Sequence, residues 1–268
     1  GFIKQHPEYN KIILQLLFNR GLIDKKNIGL FFNPAKADLA DPFLFKDTRA
    51  AVALTIKHIK AQNLIVIYGD YDADGVTSTA VLVEVLKILK AKTGVYIPGR
   101  ISEGYGLNKK AIAALKQNGA KMIITVDNGI RNRSEVEYAK SLGLDIIITD
   151  HHEPPPDKKA WPNCLIINPK ADFNYPFRFL AGVGVAYKFA KALIESSKLA
   201  ENLKLRLEEN ILDLVAIGTV ADMVDLTGEN RILVNWGLKT INQRQRLGIN
   251  ELIKVAKINV SGGQDIKT

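Results

Sequence analysis

Strand-length apolar runs alternate with helix-length amphipathic stretches through the middle of this chain, and three of the runs end directly in carboxylates. Leu64–Tyr68 leads into Asp70, Asp72 and Asp74; the run 122–126 into Asp127; Asp145–Thr149 into Asp150, His151 and His152. Further strands are predicted at 95–98 and 165–168, and helices over 77–91, 109–117 and 134–142, with Thr77 or Ser78 as the N-cap of the first. The runs are Ile/Val/Leu-rich at successive positions, as strands covered on both faces are. The rhythm specifies an α/β fold: a doubly wound, mostly parallel sheet with helices on both faces. A helical N-terminal segment precedes it, with periodic stretches ending near Gly21 and spanning 51–63, separated by a Pro-containing connector over 38–46. A helical C-terminal part follows, over 184–196, 203–221 and 232–241. The expected division is 1–60, a helical segment packed on the core; 61–255, the α/β domain; and 256–268, a linker toward a further domain.

Parallel strands deliver their C-terminal ends to one edge of the sheet, where ligands of such folds bind. Carboxylates crowded there with a His-His pair repel one another, and divalent cations relieve that repulsion. Asp70, Asp72 and Asp74 recur at every second residue, so an extended segment would point all three to one side. Dense hard oxygen ligands favour Mg²⁺ or Mn²⁺, and added imidazole shifts the balance toward Mn²⁺. On its own the triplet also fits an Asp-rich turn with capping duties, and Asp127-Asn128-Gly129 fits a structural turn. Adjacent histidine side chains are expected to diverge, one ligating and the other contacting a substrate phosphate. Asp222 lies in the otherwise apolar LDLVAIGTVADMV stretch, where a carboxylate is costly without a cation or donor partner; exposure at a helix end is the alternative. Gly182 and Gly184 in GVGVAY would let backbone approach the sheet or a phosphate. Neither a Walker-type Gly-Lys-Ser/Thr sequence nor a Gly-x-Ser-x-Gly elbow is present.

Thirty-seven Lys and Arg against 28 Asp and Glu give a formal charge of +9. A basic surface around an acidic pocket suits a polyanionic substrate, although Lys-rich helices also serve solubility alone. One cysteine, Cys164, rules out an intramolecular disulfide and a Cys-rich metal site, which makes a reducing, cytoplasmic setting the expectation. No apolar stretch approaches the roughly 20 residues of a membrane helix, and no leader sequence is recognisable.

GDYDADGVTST, TVDNG, TDHH and GTVADMVDL, in this order, resemble the successive motifs of the DHH phosphoesterase superfamily. EGYGLN at 103–108, GVGVAYK at 182–188 and DPFLFKD at 41–47 resemble its branch of RecJ-type single-strand-specific exonucleases, and the likeness runs from about residue 10 to 255. It implies metal-dependent phosphodiester hydrolysis, 5′-to-3′ on single-stranded DNA in repair and recombination, with two cations, Mn²⁺ or Mg²⁺. By motif, Asp72, Asp74, Asp127, His151 and Asp222 are the implied metal ligands. Asp70 is a ligand or orients a water, His152 contacts the scissile phosphate, and Asp150 orients a histidine. Many superfamily members outside this branch carry a histidine where this chain has Tyr68. The implied partners are single-stranded DNA, with a single-strand-binding protein or a helicase as recruiters; a monomer is expected. Other readings are a superfamily hydrolase of nanoRNA, cyclic dinucleotides or polyphosphate, a haloacid-dehalogenase-like phosphatase with Asp72 as nucleophile, and a non-catalytic DNA-binding scaffold.

Overall fold

The computed structural model describes residues 2–243 and 245–258. The chain opens with α1 (Phe2–Gln5), α2 (Lys11–Asn19), α3 (Lys25–Phe32) and α4 (Thr48–Lys60). The alternating region then runs β1 (Leu64–Tyr68), α5 (Ala73–Ile88), β2 (Thr93–Tyr96), α6 (Lys109–Gln117), β3 (Ala120–Val126), α7 (Arg133–Ser141), β4 (Asp145–Thr149) and β5 (Leu165–Ile167). Helices α8 (Gly182–Glu195), α9 (Glu201–Asn210), α10 (Leu212–Ala221), α11 (Gly228–Asn242) and α12 (Leu247–Val255) follow. Among the described residues the strands form one sheet, ordered β2-β1-β3-β4-β5 and parallel throughout.

The strands' two-residue period sorts their side chains into two cores. Ile65, Ile67, Met122, Ile124, Val126, Ile147 and Ile167 face the layer built by α4, α5 and α8. Val66, Tyr68, Ile123, Ile146 and Ile148 face α6 and α7. The doubly wound expectation is met: β1 passes to a helix on one face and β3 to a helix on the other. That divergence opens a crevice between the C-terminal ends of β1 and β3, the switch point where such sheets bind ligands. Before the sheet, α2 and α3 share a small cluster of Leu14, Leu17 and Ile28. It is tied to α11 by the Arg231 guanidinium, which stacks 3.6 Å from the Phe31 ring centroid and donates to the Phe31 carbonyl.

Several boundaries differ from the sequence expectation. α5 starts at Ala73 rather than Thr77, because Asp72 caps it by accepting from Gly75 N at 2.9 Å. The stretch 203–221 is two helices that break at Ile211; no glycine or proline marks the place, and Ile211 keeps near-helical angles. β2 lies two residues earlier than expected, and α8 starts at Gly182 rather than Gly184. Residues 259–268, most of the expected linker, fall outside the described residues. No helix among the described residues is long and apolar enough to cross a membrane.

Candidate metal centre

The segment after β1 does not run on as an extended ladder of carboxylates. Asp is a strong N-cap, so the chain turns into α5 at Asp72, which parts Asp74 from Asp70 and Asp72. Asp72 stays exposed at the cap, while Asp70 and Asp74 are buried at 4% and 1% exposure. The turn is tight: a Cβ on Gly75 would lie 2.5 Å from Asp70 Cβ. Asp74 projects onto the start of α8, where it accepts from Gly182 N and Val183 N, both at 2.7 Å. Two N-terminal amides and the positive end of a helix thus face one buried carboxylate.

At the end of β3, Asp127 adopts φ +61°, a left-handed conformation uncommon outside glycine, and is 2% exposed. Asn128 holds the turn by donating from Nδ2 to the carbonyls of Val126 (2.8 Å) and Tyr68 (3.2 Å). Gly129 continues it at φ +113°. The end of β4 carries Asp150, fully buried, which accepts from Ile130 N, His151 N, His152 N and His152 Nδ1 at 2.7–3.1 Å. Asp150 thereby orients the histidine loop. The two imidazoles do not diverge as expected: their centroids lie 4.5 Å apart. The cause is that Asp150 holds the His152 ring while the Leu180 carbonyl, 3.1 Å from Nδ1, holds that of His151. Asp222, the C-cap of α10, brings Oδ2 to 3.8 Å from His151 Nδ1.

Three overlapping groups offer ligand atoms within 4.8 Å of one another: Asp74–His151–Asp222, Asp70–Asp72–Asp127 and Asp127–His151–His152. Every metal-ligand candidate named from the sequence falls in one of them, and Asp127 joins two. The donor chemistry fits a cation. With Nδ1–H donated to the Leu180 carbonyl, His151 presents the lone pair of Nε2 to Asp127 Oδ1 at 3.2 Å and Asp74 Oδ2 at 3.9 Å. Asp127 Oδ1, Asp70 Oδ1 and Asp222 Oδ2 are buried without a hydrogen-bond partner, a costly state that a bound cation removes.

Electrostatics agree. Burial, then the charge of Asp150, pushes the Asp127 carboxyl up to about 9. Burial and the Asp127 charge raise Asp74 well above the carboxylate range, and burial raises Asp70 and Asp222. Asp150 behaves oppositely: burial resists its ionisation, but the His152 contact and the Ile130 amide outweigh it and hold the carboxyl low. The same contact outweighs burial at His152 and raises that imidazole, favouring its charged form. Reading the sequence missed Tyr105, whose hydroxyl donates to the Asp127 carbonyl (3.2 Å) and lies 3.0 Å from His152 Nδ1. The expected close approach of backbone at Gly182 is present, but its amide and that of Val183 meet the Asp74 carboxylate.

Residues 64–219, from the first residue of β1 into α10, match the DHH family, N-terminal domain. The chain belongs to the DHH family. This DHH chain is 45% identical over 249 residues to the single-stranded-DNA-specific exonuclease RecJ of Bacillus subtilis, covering 91% of this chain and 30% of that protein. An exonuclease RecJ bound to manganese superposes with a TM-score of 0.72 at 32% identity, over 84% of this chain and 55% of that one. RecJ of Thermus thermophilus in complex with Mn²⁺ superposes with a TM-score of 0.75 at 29% identity, over 95% and 35%. The DHH chain thus spans about a third of the length of its curated relative. Family membership sets aside the haloacid-dehalogenase-like alternative.

Proposed function

We propose that this chain carries the metal-dependent phosphodiesterase centre of a RecJ-type exonuclease that degrades single-stranded DNA from the 5′ end in repair and recombination. The observation that carries the reading is the meeting of carboxylates from β1, β3 and α10 with imidazoles from β4 at the switch-point crevice, the three groups being linked through Asp127 and His151, 3.2 Å apart. In this reading Asp74, His151 and Asp222 would hold one cation and Asp70 and Asp72 a second, with Asp127 available to both. Manganese or magnesium bound there supplies Lewis acidity to the attacking water and the scissile phosphate. The relatives' manganese complexes support the choice, as do the hard oxygen donors.

The protein's own groups then have distinct tasks. The α8 amides keep the Asp74 oxygens pointed inward. Asp70 keeps one buried oxygen unpaired for the second cation. His152, whose charged form Asp150 favours through Nδ1, presents its other nitrogen to a phosphate oxygen, where a cationic donor stabilises developing charge. Residues 61–255 form the catalytic domain in this reading, with the preceding helical segment packed on it. The setting is cytoplasmic, the chain monomeric, and a single-strand-binding protein or helicase recruits it.

Asp127→Ala tests the assignment. Mn²⁺-dependent release of nucleotides from single-stranded DNA should fall at least ~10³-fold, as loss of a shared ligand removes both cation positions, while the circular dichroism spectrum is kept. Activity within tenfold of the parent would reject it.

A further inference from the structure

The sheet's fifth strand also delivers its end to the crevice, and its cargo is a cation. Beyond β5, Asn168 is fully buried and bonds in three directions. Its Nδ2 donates to the His152 carbonyl at 3.0 Å, and its Oδ1 accepts from Lys170 N at 2.8 Å and Ala171 N at 3.1 Å. The backbone of Lys170 is therefore fixed to the same loop that carries the histidines. A further bond, from Arg178 Nη2 to the Lys170 carbonyl at 3.2 Å, closes the other side.

Lys170 stands between two clefts that both reach the histidine pair. The larger, about 480 Å³, is lined by Tyr105, Gly129, Arg131, His152, Glu153 and Lys170. The smaller, about 280 Å³, places Lys170 beside His151, Phe179 and Met223. Phe179 is 60% exposed and Met223 89% exposed. Among the described residues, the Lys170 ammonium pairs with the Glu153 carboxylate at 3.6 Å, itself 64% exposed. A pair that long, with its carboxylate in solvent and the lysine side chain 23% exposed, holds Lys170 weakly.

We propose that Lys170 binds a phosphate of the nucleic-acid strand adjacent to the one being cleaved, with the exposed Phe179 and Met223 as the wall against which the neighbouring base rests. This assignment rests on the phosphodiesterase reading and names a subsite of it. The chemistry favours a strand over free phosphate: single-stranded nucleic acid is held by cations along its backbone and by apolar faces against its bases, and both lie on the two sides of this lysine. Asn168 is the positioning residue, because it ties the lysine to the His152 loop.

The test compares Lys170→Ala and Lys170→Arg with the parent protein in two measurements. The first is anisotropy of fluorescent (dT)12 in EDTA-containing buffer, titrated with salt, which needs no activity. Lys170→Ala should weaken binding about fivefold at low salt and reduce the slope of log affinity against log salt by ~0.7, the loss of one phosphate contact on a single strand. Lys170→Arg should stay within about twofold of the parent. The second is Mn²⁺-dependent hydrolysis of bis(p-nitrophenyl) phosphate, which has one phosphodiester and no neighbour, and should be unchanged by Lys170→Ala. Unaltered (dT)12 binding would overturn the proposal, and so would a Lys170→Arg protein as weak as Lys170→Ala. A parallel loss on the small diester would instead place the lysine on the scissile phosphate and overturn it too. Failure of the parent to hydrolyse either substrate would sink the phosphodiesterase reading, while the binding measurement still decides the role of Lys170.

Discussion

Gly182→Ala puts one methyl group where the account says none fits. A Cβ there would lie 2.4 Å from Asp127 Oδ1, 2.7 Å from its Cγ and 2.8 Å from its Cβ, about 0.6 Å inside the closest approach that real Cβ atoms make. Relief comes in two ways, and each damages the centre. Asp127 can retreat, or the start of α8 can back away and stretch the two 2.7 Å bonds that aim Asp74. Metal–ligand distances tolerate about ±0.2 Å, so a displacement of roughly 0.6 Å removes a ligand rather than loosening it. The fold itself should lose about 1–3 kcal/mol, the usual cost of overpacking by a methyl group. Mn²⁺ affinity by isothermal titration calorimetry is therefore expected to fall at least ~10-fold and activity ~10²-fold, in line with the cost of a small misplacement at a reacting centre. The circular dichroism spectrum should be retained. Gly29→Ala is the control: nothing lies within 4 Å of its Cβ position in α3, and it should stabilise slightly, by about 0.5–1 kcal/mol. A Gly182→Ala protein with the parent's Mn²⁺ affinity would refute the packing argument.

The raised carboxyls make metal-free stability depend on pH. Asp127 holds its proton up to about 9 in the folded state but would release it near 4 when unfolded, so the folded chain binds more protons across that interval. Its contribution therefore declines as pH rises from about 4 to 9, with Asp74, Asp70 and Asp222 acting in the same direction. Thermal melts should show Mn²⁺ raising the midpoint more at pH 8.5 than at pH 6, and calorimetry in buffers of different ionisation heat should show protons released on binding; binding without proton release would contradict it. Away from the centre, Lys188 is fully buried on α8, pairs with Glu229 and donates to the Ala40 carbonyl at 2.8 Å, while Tyr175 donates to Glu229 at 2.7 Å. Lys188→Met strands a buried carboxylate and should cost about 3–5 kcal/mol in urea unfolding, with Lys188→Met/Glu229→Leu recovering most of it. If the double variant were no better than the single, the cost would lie in packing.

What the primary structure disclosed was the part encoded locally. A run such as 146–149 followed by Asp150 announces a covered strand and its charged end within ten residues, and the parallel sheet then dictates that such ends meet. The motif order pointed to the same family that the comparison of residues 64–219 shows. What stayed hidden depends on long-range contact. The spacing of Asp70, Asp72 and Asp74 suggested a strand because alternation is compatible with one, yet the capping power of Asp72 and the amides of α8, more than 100 positions away, turned Asp74 inward. The closeness of the two imidazoles depends on the carbonyl of Leu180, which no local pattern announces. The break at Ile211 leaves no mark because helical periodicity continues across it.

Anomalous diffraction from a crystal soaked in Mn²⁺ locates the cations without reference to any activity. One peak is expected among Asp74, Asp127, His151 and Asp222 and a second among Asp70, Asp72 and Asp127, each at ~2.0–2.3 Å from its ligand atoms, as for a divalent ion on oxygen and imidazole donors. Peaks confined to the protein surface, with Asp127 Oδ1 still touching no cation, would contradict this expectation.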